Sequence, residues 1–246
     1  MKCLSRRDLE SIAQRVLKGY RGLKSSWYDP WRIDPQILAE ELLKLSIDYR
    51  KLSLDNLTLG LTSYGEAPVS VFDGPEDIYF LDGKTILIDT SLQSKERNLG
   101  RRNFTIAHEC AHQILNMLFP REYSEGVNSR KVVVYRKNTE PNNWEEWQAD
   151  NLASAILIPE KLIRLNMQRC GFPVGCRELD LCRKSFEIDA IDKMCEIMGV
   201  SRTALAVRMK RLGLVREIIT AKPARSSKQA FIEVDDEWIS MMRTGS

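Results

Sequence analysis

The stretch His108-Glu109-Cys110-Ala111-His112 contains both histidines of the 246-residue chain. Residues four apart on an α-helix lie one above the other on the same face, so two imidazoles in this spacing can bind one metal ion. Glu109 lies between them at the edge of that face, where its carboxylate can take a proton from a water molecule. The pattern therefore predicts a metal site with a carboxylate base.

The sequence around this stretch has the period of a buried helix. Apolar residues recur on one side of it, which predicts a helix over residues 99–118 that ends before Pro120. Cys110 is two residues from each histidine, so we expect it to face the core instead of the metal. The apolar stripe of the helix consists of Ile106, Ala107, Ala111, Ile114, Leu115 and Leu118.

A second helix, predicted over residues 144–157, supplies the remaining ligand. Catalytic zinc usually has three protein ligands, and no third histidine is present. Glu146 and Asp150 are four apart and share a face. We expect Glu146 to be the third ligand, with Glu145 as the alternative, and Asp150 to accept the free N–H of a ligand histidine. Zinc is the default metal for this donor set, although Mn²⁺ or Fe²⁺ also suits it.

A donor that stabilises an oxyanion is a further requirement of hydrolysis at such a site. It cannot be a histidine here, because both are already assigned to the metal. Tyr123, Tyr135 or an arginine can serve, and the sequence does not select among them.

The rest of the chain predicts an α+β fold with a small, mainly antiparallel sheet. Apolar residues recur with the period of a helix over residues 7–20. Asp34-Pro35 predicts the start of a second helix, with Asp34 as its N-cap. The two-residue Asp82-Gly83 between apolar runs is a strong hairpin signal. Short strands are predicted at 59–62, 69–72, 78–81 and 85–88, with a further one at 131–135, and later helices at 189–198 and 202–212.

Residues 103–115 (Asn-Phe-Thr-Ile-Ala-His-Glu-Cys-Ala-His-Gln-Ile-Leu) resemble the active-site helix of the ImmA/IrrE family of metallopeptidases. Residues 146–153, running on to Pro159, resemble the second motif of that family, in the Glu-x-x-x-Asp form of gluzincins. The resemblance covers residues 30–215 and implies His108, His112 and Glu146 as ligands, with Glu109 as catalytic base. Members of the family cleave helix-turn-helix transcriptional repressors and so release mobile-element or stress-response genes. The resemblance thus implies a zinc-dependent endopeptidase that acts on a repressor protein.

We expect a zincin-like metallopeptidase domain over residues 1–160, a helical domain like a helix-turn-helix over 161–220 and a flexible tail over 221–246. Gly199 just past one helix and Ser201 at the start of the next predict the turn of the helix pair. Residues 201–228 contain eight Lys/Arg and one acid, an excess of seven positive charges that suits DNA phosphates. We nevertheless favour docking of the protein substrate, because in the family this region is part of the peptidase.

The alternative function is a DNA-binding or protein-binding regulator that keeps a zincin scaffold with little catalysis. An intact Glu109 argues against it, because a scaffold needs the histidines but not the base. The net charge of +3 does not demand a nucleic-acid partner. No apolar run reaches the roughly 18–20 residues that span a bilayer, and the N-terminus lacks the features of a secretory signal, so we expect a cytoplasmic protein without a membrane partner.

The six cysteines fit the same compartment, because thiols stay reduced there. Cys170, Cys176 and Cys182 recur every six residues, which is not the spacing of a Cys-x-x-Cys zinc site. We therefore expect free thiols.

Overall fold

The structure is a computed structural model that describes residues 3–23, 29–74, 77–123, 132–136, 144–175, 178–182 and 184–219, with the backbone alone at 95–98, 123 and 136. The expected flexible tail, 221–246, lies outside these residues. The described fold is α+β, as expected: a mixed four-stranded sheet packs on helices, and a helical C-terminal region follows. Within the described ranges, none of the helices is both long and apolar enough to cross a membrane.

The predicted elements appear in the predicted order with small shifts at their ends, whereas the strands Ser46–Arg50, Glu178–Asp180 and Glu217–Ile219 and the short helix Pro120–Tyr123 were not predicted. The helices are α1 (Arg6–Arg21), α2 (Pro35–Ile37, continued by a π-helical turn at Leu38–Leu42), α3 (Lys95–Leu118), α4 (Pro120–Tyr123), α5 (Trp144–Leu157), α6 (Glu160–Cys170), α7 (Phe186–Met198) and α8 (Arg202–Arg211). The strands are β1 (Ser46–Arg50), β2 (Thr58–Ser63), β3 (Glu66–Ser70), β4 (Ile78–Asp82), β5 (Thr85–Asp89), β6 (Val132–Arg136), β7 (Glu178–Asp180) and β8 (Glu217–Ile219).

The main sheet has the strand order β1-β5-β2-β6 and is covered on both faces. Strand β2 runs antiparallel to β5 and β6, whereas β1 and β5 are parallel, so the sheet is mixed. Leu59, Ile86 and Ile88 face the helices and belong to the main core. Leu61 and Leu87 point to the other face, where the two-stranded ribbon β3–β4 covers them. Because both faces are covered, every residue of β2 and β5 is buried.

The predicted hairpin between β4 and β5 is wrong. The turn itself forms, because the Asp82 carboxylate accepts the backbone N–H groups of Lys84 and Thr85 at 2.8 Å and Gly83 takes a φ of +77°. Strand β4 pairs with β3 instead, while β1 and β2 occupy both edges of β5. In this arrangement Leu81 of β4 is buried with Leu61 and Leu87 on the second face of the sheet.

Helices α3 and α5 pack against each other, and α3 also packs on β2. Helix α3 ends because Phe119 precedes Pro120 and is pushed out of the helical region, to a φ of −137°. On α5 the small, fully buried Ala149 and Ala153 let the two helices approach closely. This pairing brings the histidine helix and the glutamate helix together.

The turn between α7 and α8 is held against α3. Gly199 ends α7 with a φ of +65°, and the Ser201 hydroxyl accepts the N–H of Ala204 at the start of α8, as the sequence predicted. The amide nitrogen of Asn103 on α3 donates to the Gly199 carbonyl at 2.8 Å. One hydrophobic core extends from α1 through α3 and α5 to α8. The division of the chain at residue 160 stays a prediction.

Substitution of Gly100 tests this contact. A Cβ atom at Gly100 would lie 2.6 Å from the backbone nitrogen of Ser201, whereas one at Gly65 would meet nothing within 4 Å. We expect Gly100→Ala to lower the free energy of unfolding in urea by about 1–3 kcal/mol, because the two backbones must move apart. Gly65→Ala should stay within about 0.5 kcal/mol of the parent. Equal stability of the two variants would refute the close contact.

Candidate metal centre

His108 and His112 lie one turn apart on α3, and both side chains are fully buried. Their Nε2 atoms are 3.0 Å apart. The period of the helix therefore places the two imidazole nitrogens at one point, facing α5.

Glu146, on α5, completes the group. Its Oε2 lies 3.1 Å from Nε2 of His108, and its Oε1 lies 3.3 Å from Nε2 of His112. Within the part of the chain that the structure describes, these three buried residues form a group that could hold a metal ion.

The spacing and chemistry of the three donors fit a metal ion. Ligand atoms about 2.0–2.1 Å from a tetrahedral zinc ion stand roughly 3.3 Å apart, close to the observed 3.0–3.3 Å. Two imidazole nitrogens and one carboxylate oxygen form the donor set of many catalytic zinc sites, and manganese and iron accept the same donors.

Asp150 fixes the orientation of His108. Its Oδ1 lies 2.8 Å from Nδ1 of His108. Since an ionised carboxylate can only accept, the Nδ1 proton is donated to Asp150, and in the neutral ring Nε2 keeps its lone pair for a metal.

The carboxylates also set the local electrostatics. Burial alone lowers the pKa of His108, but the hydrogen bonds with Asp150 and Glu146 outweigh it and raise the pKa well above 6.5. Burial likewise raises the pKa of Glu146, but its contacts with the two histidines hold that pKa below its usual range. A proton and a metal ion compete for the same imidazole lone pair. The negative charges of Asp150 and Glu146 therefore favour the binding of either a proton or a metal ion.

Glu145, the alternative ligand, lies on the opposite side of the His112 ring. Its Oε1 is 3.8 Å from Nδ1 of His112 and accepts a hydrogen bond of 2.7 Å from the Tyr64 hydroxyl. The Tyr64 oxygen itself is 3.3 Å from Nδ1 of His112. Glu145 and Tyr64 therefore lie at Nδ1 of His112, whereas the Glu146 carboxylate contacts the Nε2 atoms of both histidines. Sequence reasoning missed Tyr64, because nothing in its neighbourhood marks this contact with residues 48 and 81 positions away.

Glu109 is fully buried, and neither of its carboxylate oxygens has a hydrogen-bond partner among the described residues. Burial raises its pKa to about 8, the charge of His108 opposes this shift and the charge of Glu146 adds to it. A buried carboxylate without a partner is costly, so its place beside the three candidate ligands calls for a functional explanation.

Gly60, on β2, leaves the space that this carboxylate occupies. A Cβ atom at this position would lie 2.4 Å from Oε1 of Glu109 and 2.7 Å from Cγ2 of Thr105. Gly60 also lies at an irregularity in the pairing of β2 with β6. A glycine inside a strand often marks a close approach, so the position of Gly60 within a predicted strand is a sequence signal for this contact.

Tyr135 is the candidate oxyanion donor that lies at the site. Its ring stacks on that of His108, with centroids 4.0 Å apart and planes tilted by 32°. Burial raises the pKa of Tyr135, and the nearby carboxylates, Asp150 first, raise it further, so the phenol keeps its proton. The side chain of Tyr123 lies outside the described residues.

The described cysteines are free thiols, as expected, and Cys110 is buried in the core. Burial raises its pKa, which keeps the thiol protonated and a poor ligand. Cys176 lies outside the described residues.

No protein-family model matches the chain, and no curated protein matches it. The chemistry of the site is therefore inferred from its geometry alone. Two histidines and a glutamate could hold a metal ion, and the buried carboxylate of Glu109 lies beside them.

Removal of Glu146 tests the proposed ligand set, with its neighbour as the matched control. We expect Glu146→Ala to lose zinc during dialysis against a chelator, because one of three ligands is gone, whereas Glu145→Ala retains about one zinc per chain. Plasma mass spectrometry of the purified variants measures the metal content. Retention by Glu146→Ala together with loss by Glu145→Ala would move the third ligand to Glu145.

Proposed function

We propose that this chain is a zinc-dependent metalloendopeptidase with a zincin-like catalytic region. The observation that carries the proposal is the buried group of His108, His112 and Glu146 with the unpaired carboxylate of Glu109 beside it. A structural metal site uses all its positions for protein ligands, whereas three ligands and an adjacent base are the arrangement of a hydrolase.

In this proposal His108, His112 and Glu146 hold the zinc ion, and Asp150 keeps His108 in the tautomer that binds it. When bound, zinc supplies a Lewis acid that activates water and polarises a carbonyl group. Mn²⁺ or Fe²⁺ can fill the same role with these donors.

Glu109 acts as the general base. Its carboxylate takes the proton of the attacking water at an Oε atom and later gives that proton to the nitrogen of the leaving amine. Gly60 supports this role, because the absence of a Cβ atom leaves the space that the Glu109 carboxylate occupies. Tyr135, which keeps its phenolic proton, is the donor that we assign to the developing oxyanion.

The proposed substrate is a helix-turn-helix transcriptional repressor, whose cleavage would release mobile-element or stress-response genes. This step rests on the resemblance of the two motifs to the ImmA/IrrE family. A substrate of this kind places the reaction in the cytoplasm. The helix pair α7–α8 is the surface to which we assign substrate docking.

The alternative is a DNA-binding or protein-binding regulator with little catalysis. Contacts inside the fold weigh against DNA: Arg202 is bound to Asp192 at 2.7 Å, and the buried Arg208 is bound to Glu10 at 2.9 Å. Arg211 also donates to Oδ1 of Asn151 at 3.1 Å, so these basic side chains of the 201–228 stretch are engaged within the chain. Lys222, Arg225 and Lys228 lie outside the described residues.

Replacement of the base separates a peptidase from a metal scaffold. We expect Glu109→Gln to lower the cleavage rate by about 10²–10⁴-fold, because the proton acceptor is lost, while zinc content stays at the parent level. Exposed Glu122 gives the control, and Glu122→Gln should cleave normally. The substrates are purified helix-turn-helix repressors, starting with any encoded beside the gene, and cleavage is followed by mass spectrometry.

Two results would contradict the proposal. One is cleavage by Glu109→Gln at the parent rate. The other is that the zinc-loaded parent cleaves none of the repressors.

A further inference from the structure

Arg101 lies on the same face of α3 as the histidines of the metal centre, closer to the start of the helix. It precedes His108 by seven residues, which is almost two full turns, so both side chains leave the helix in nearly the same direction. At 1.5 Å per residue the two positions are about 10 Å apart along the helix axis. His108 is fully buried whereas Arg101 is exposed, so this face of α3 opens to solvent toward Arg101.

The neighbouring faces of α3 at this level are covered by other parts of the fold. Gly100 and Asn103 contact the turn between α7 and α8, and Thr105 faces Gly60 on β2. In projection down the helix axis, Arg101 lies between these two contacts, on the side that stays exposed. A bound peptide can therefore reach Arg101 from the metal centre without displacing a packed element.

Two aromatic rings lie beside His108 on this face. The ring of Phe104, one turn earlier on α3, has its centroid 6.5 Å from that of the histidine, and the ring of Tyr135 on β6 lies at 4.0 Å. Both aromatic side chains are partly exposed. The face therefore offers apolar contact next to the histidine and a guanidinium group beyond it.

The positive charge of Arg101 acts on this region. Burial raises the pKa of Tyr135, the carboxylates of the site, Asp150 first, raise it further, and the charge of Arg101 opposes them. Arg101 is therefore within electrostatic range of the tyrosine that stacks on the ligand histidine. Among the residues that the structure describes, no Asp or Glu forms an ion pair with Arg101, so its guanidinium group is available to a ligand.

We propose, on the basis of the proposed function, that Arg101 binds an acidic side chain of the peptide substrate three residues from the cleaved bond. The cleaved bond must lie at the metal. An extended peptide advances about 3.3 Å per residue, so three residues span the roughly 10 Å between the levels of His108 and Arg101. A guanidinium group pairs with a carboxylate through two parallel hydrogen bonds, which selects Asp or Glu at that position.

Peptides in which a phosphinate replaces the amide of the cleaved bond test the proposal. The phosphinate oxygens bind the zinc ion and so fix the register of the peptide. Each peptide carries a single Glu at one of the four positions on either side of the phosphinate, with Gln at the others. With isothermal titration calorimetry of the zinc-loaded full chain, we expect Glu at the third position of one side to bind about fivefold more tightly than Gln there.

Variants of Arg101 connect this preference to one residue. Arg101→Gln should bind the Glu and Gln peptides with Kd values within about twofold of each other, and Arg101→Glu should prefer Lys at the same position. Arg15→Gln is the matched control and should keep the parent preference. Arg15 is exposed on α1 beside Met117, which lies on the opposite face of α3 from His108.

Four results would overturn the proposal: no phosphinate peptide binds at millimolar concentration, Kd does not depend on the position of Glu, Arg101→Gln keeps the preference, or Arg15→Gln loses it. Thermal melts verify that each variant is folded. Failure of the proposed function gives a different result. In that case the preference for Glu is present, but the zinc-loaded parent does not cleave the corresponding amide peptides.

Discussion

The contact between α3 and α5 at His108, His112 and Glu146 is the interaction on which the candidate site depends. It brings together three polar side chains that are almost wholly removed from water. Burial of such groups is costly unless each has a partner, and a carboxylate between two imidazoles meets that need only in part. A metal ion at the shared point would satisfy all three at once, which would give a physical reason for their burial.

Residues around this contact hold the two histidine rings and the Glu109 carboxylate in place. Asp150 holds one ring of the pair, and Tyr64 with Glu145 supports the other. Gly60 on β2 opens the space for Glu109. These residues come from the sheet and both helices, so the site forms only when the three elements are packed. The close contact of the α7–α8 turn with α3 further joins the C-terminal helices to the same unit.

The parts that the sequence predicted were those with a local signal. The helical period and the proline after it predicted α3, and the four-residue spacing predicted which side chains of each helix share a face. Pairing of strands is not local. Asp82 and Gly83 marked the turn correctly, but β5 is paired on both edges by β1 and β2, and no residue near the turn carries that information. Tyr64 was missed for the same reason, since its partners lie far along the chain, whereas Gly60 had a signal in its strand position.

Zinc K-edge X-ray absorption of the zinc-loaded full chain tests the central claim most directly. We expect one zinc per chain with nitrogen and oxygen neighbours at about 2.0–2.1 Å, two imidazoles in the multiple-scattering pattern and no sulfur at about 2.3 Å. A sulfur neighbour, fewer than two imidazoles or less than stoichiometric zinc would contradict the account.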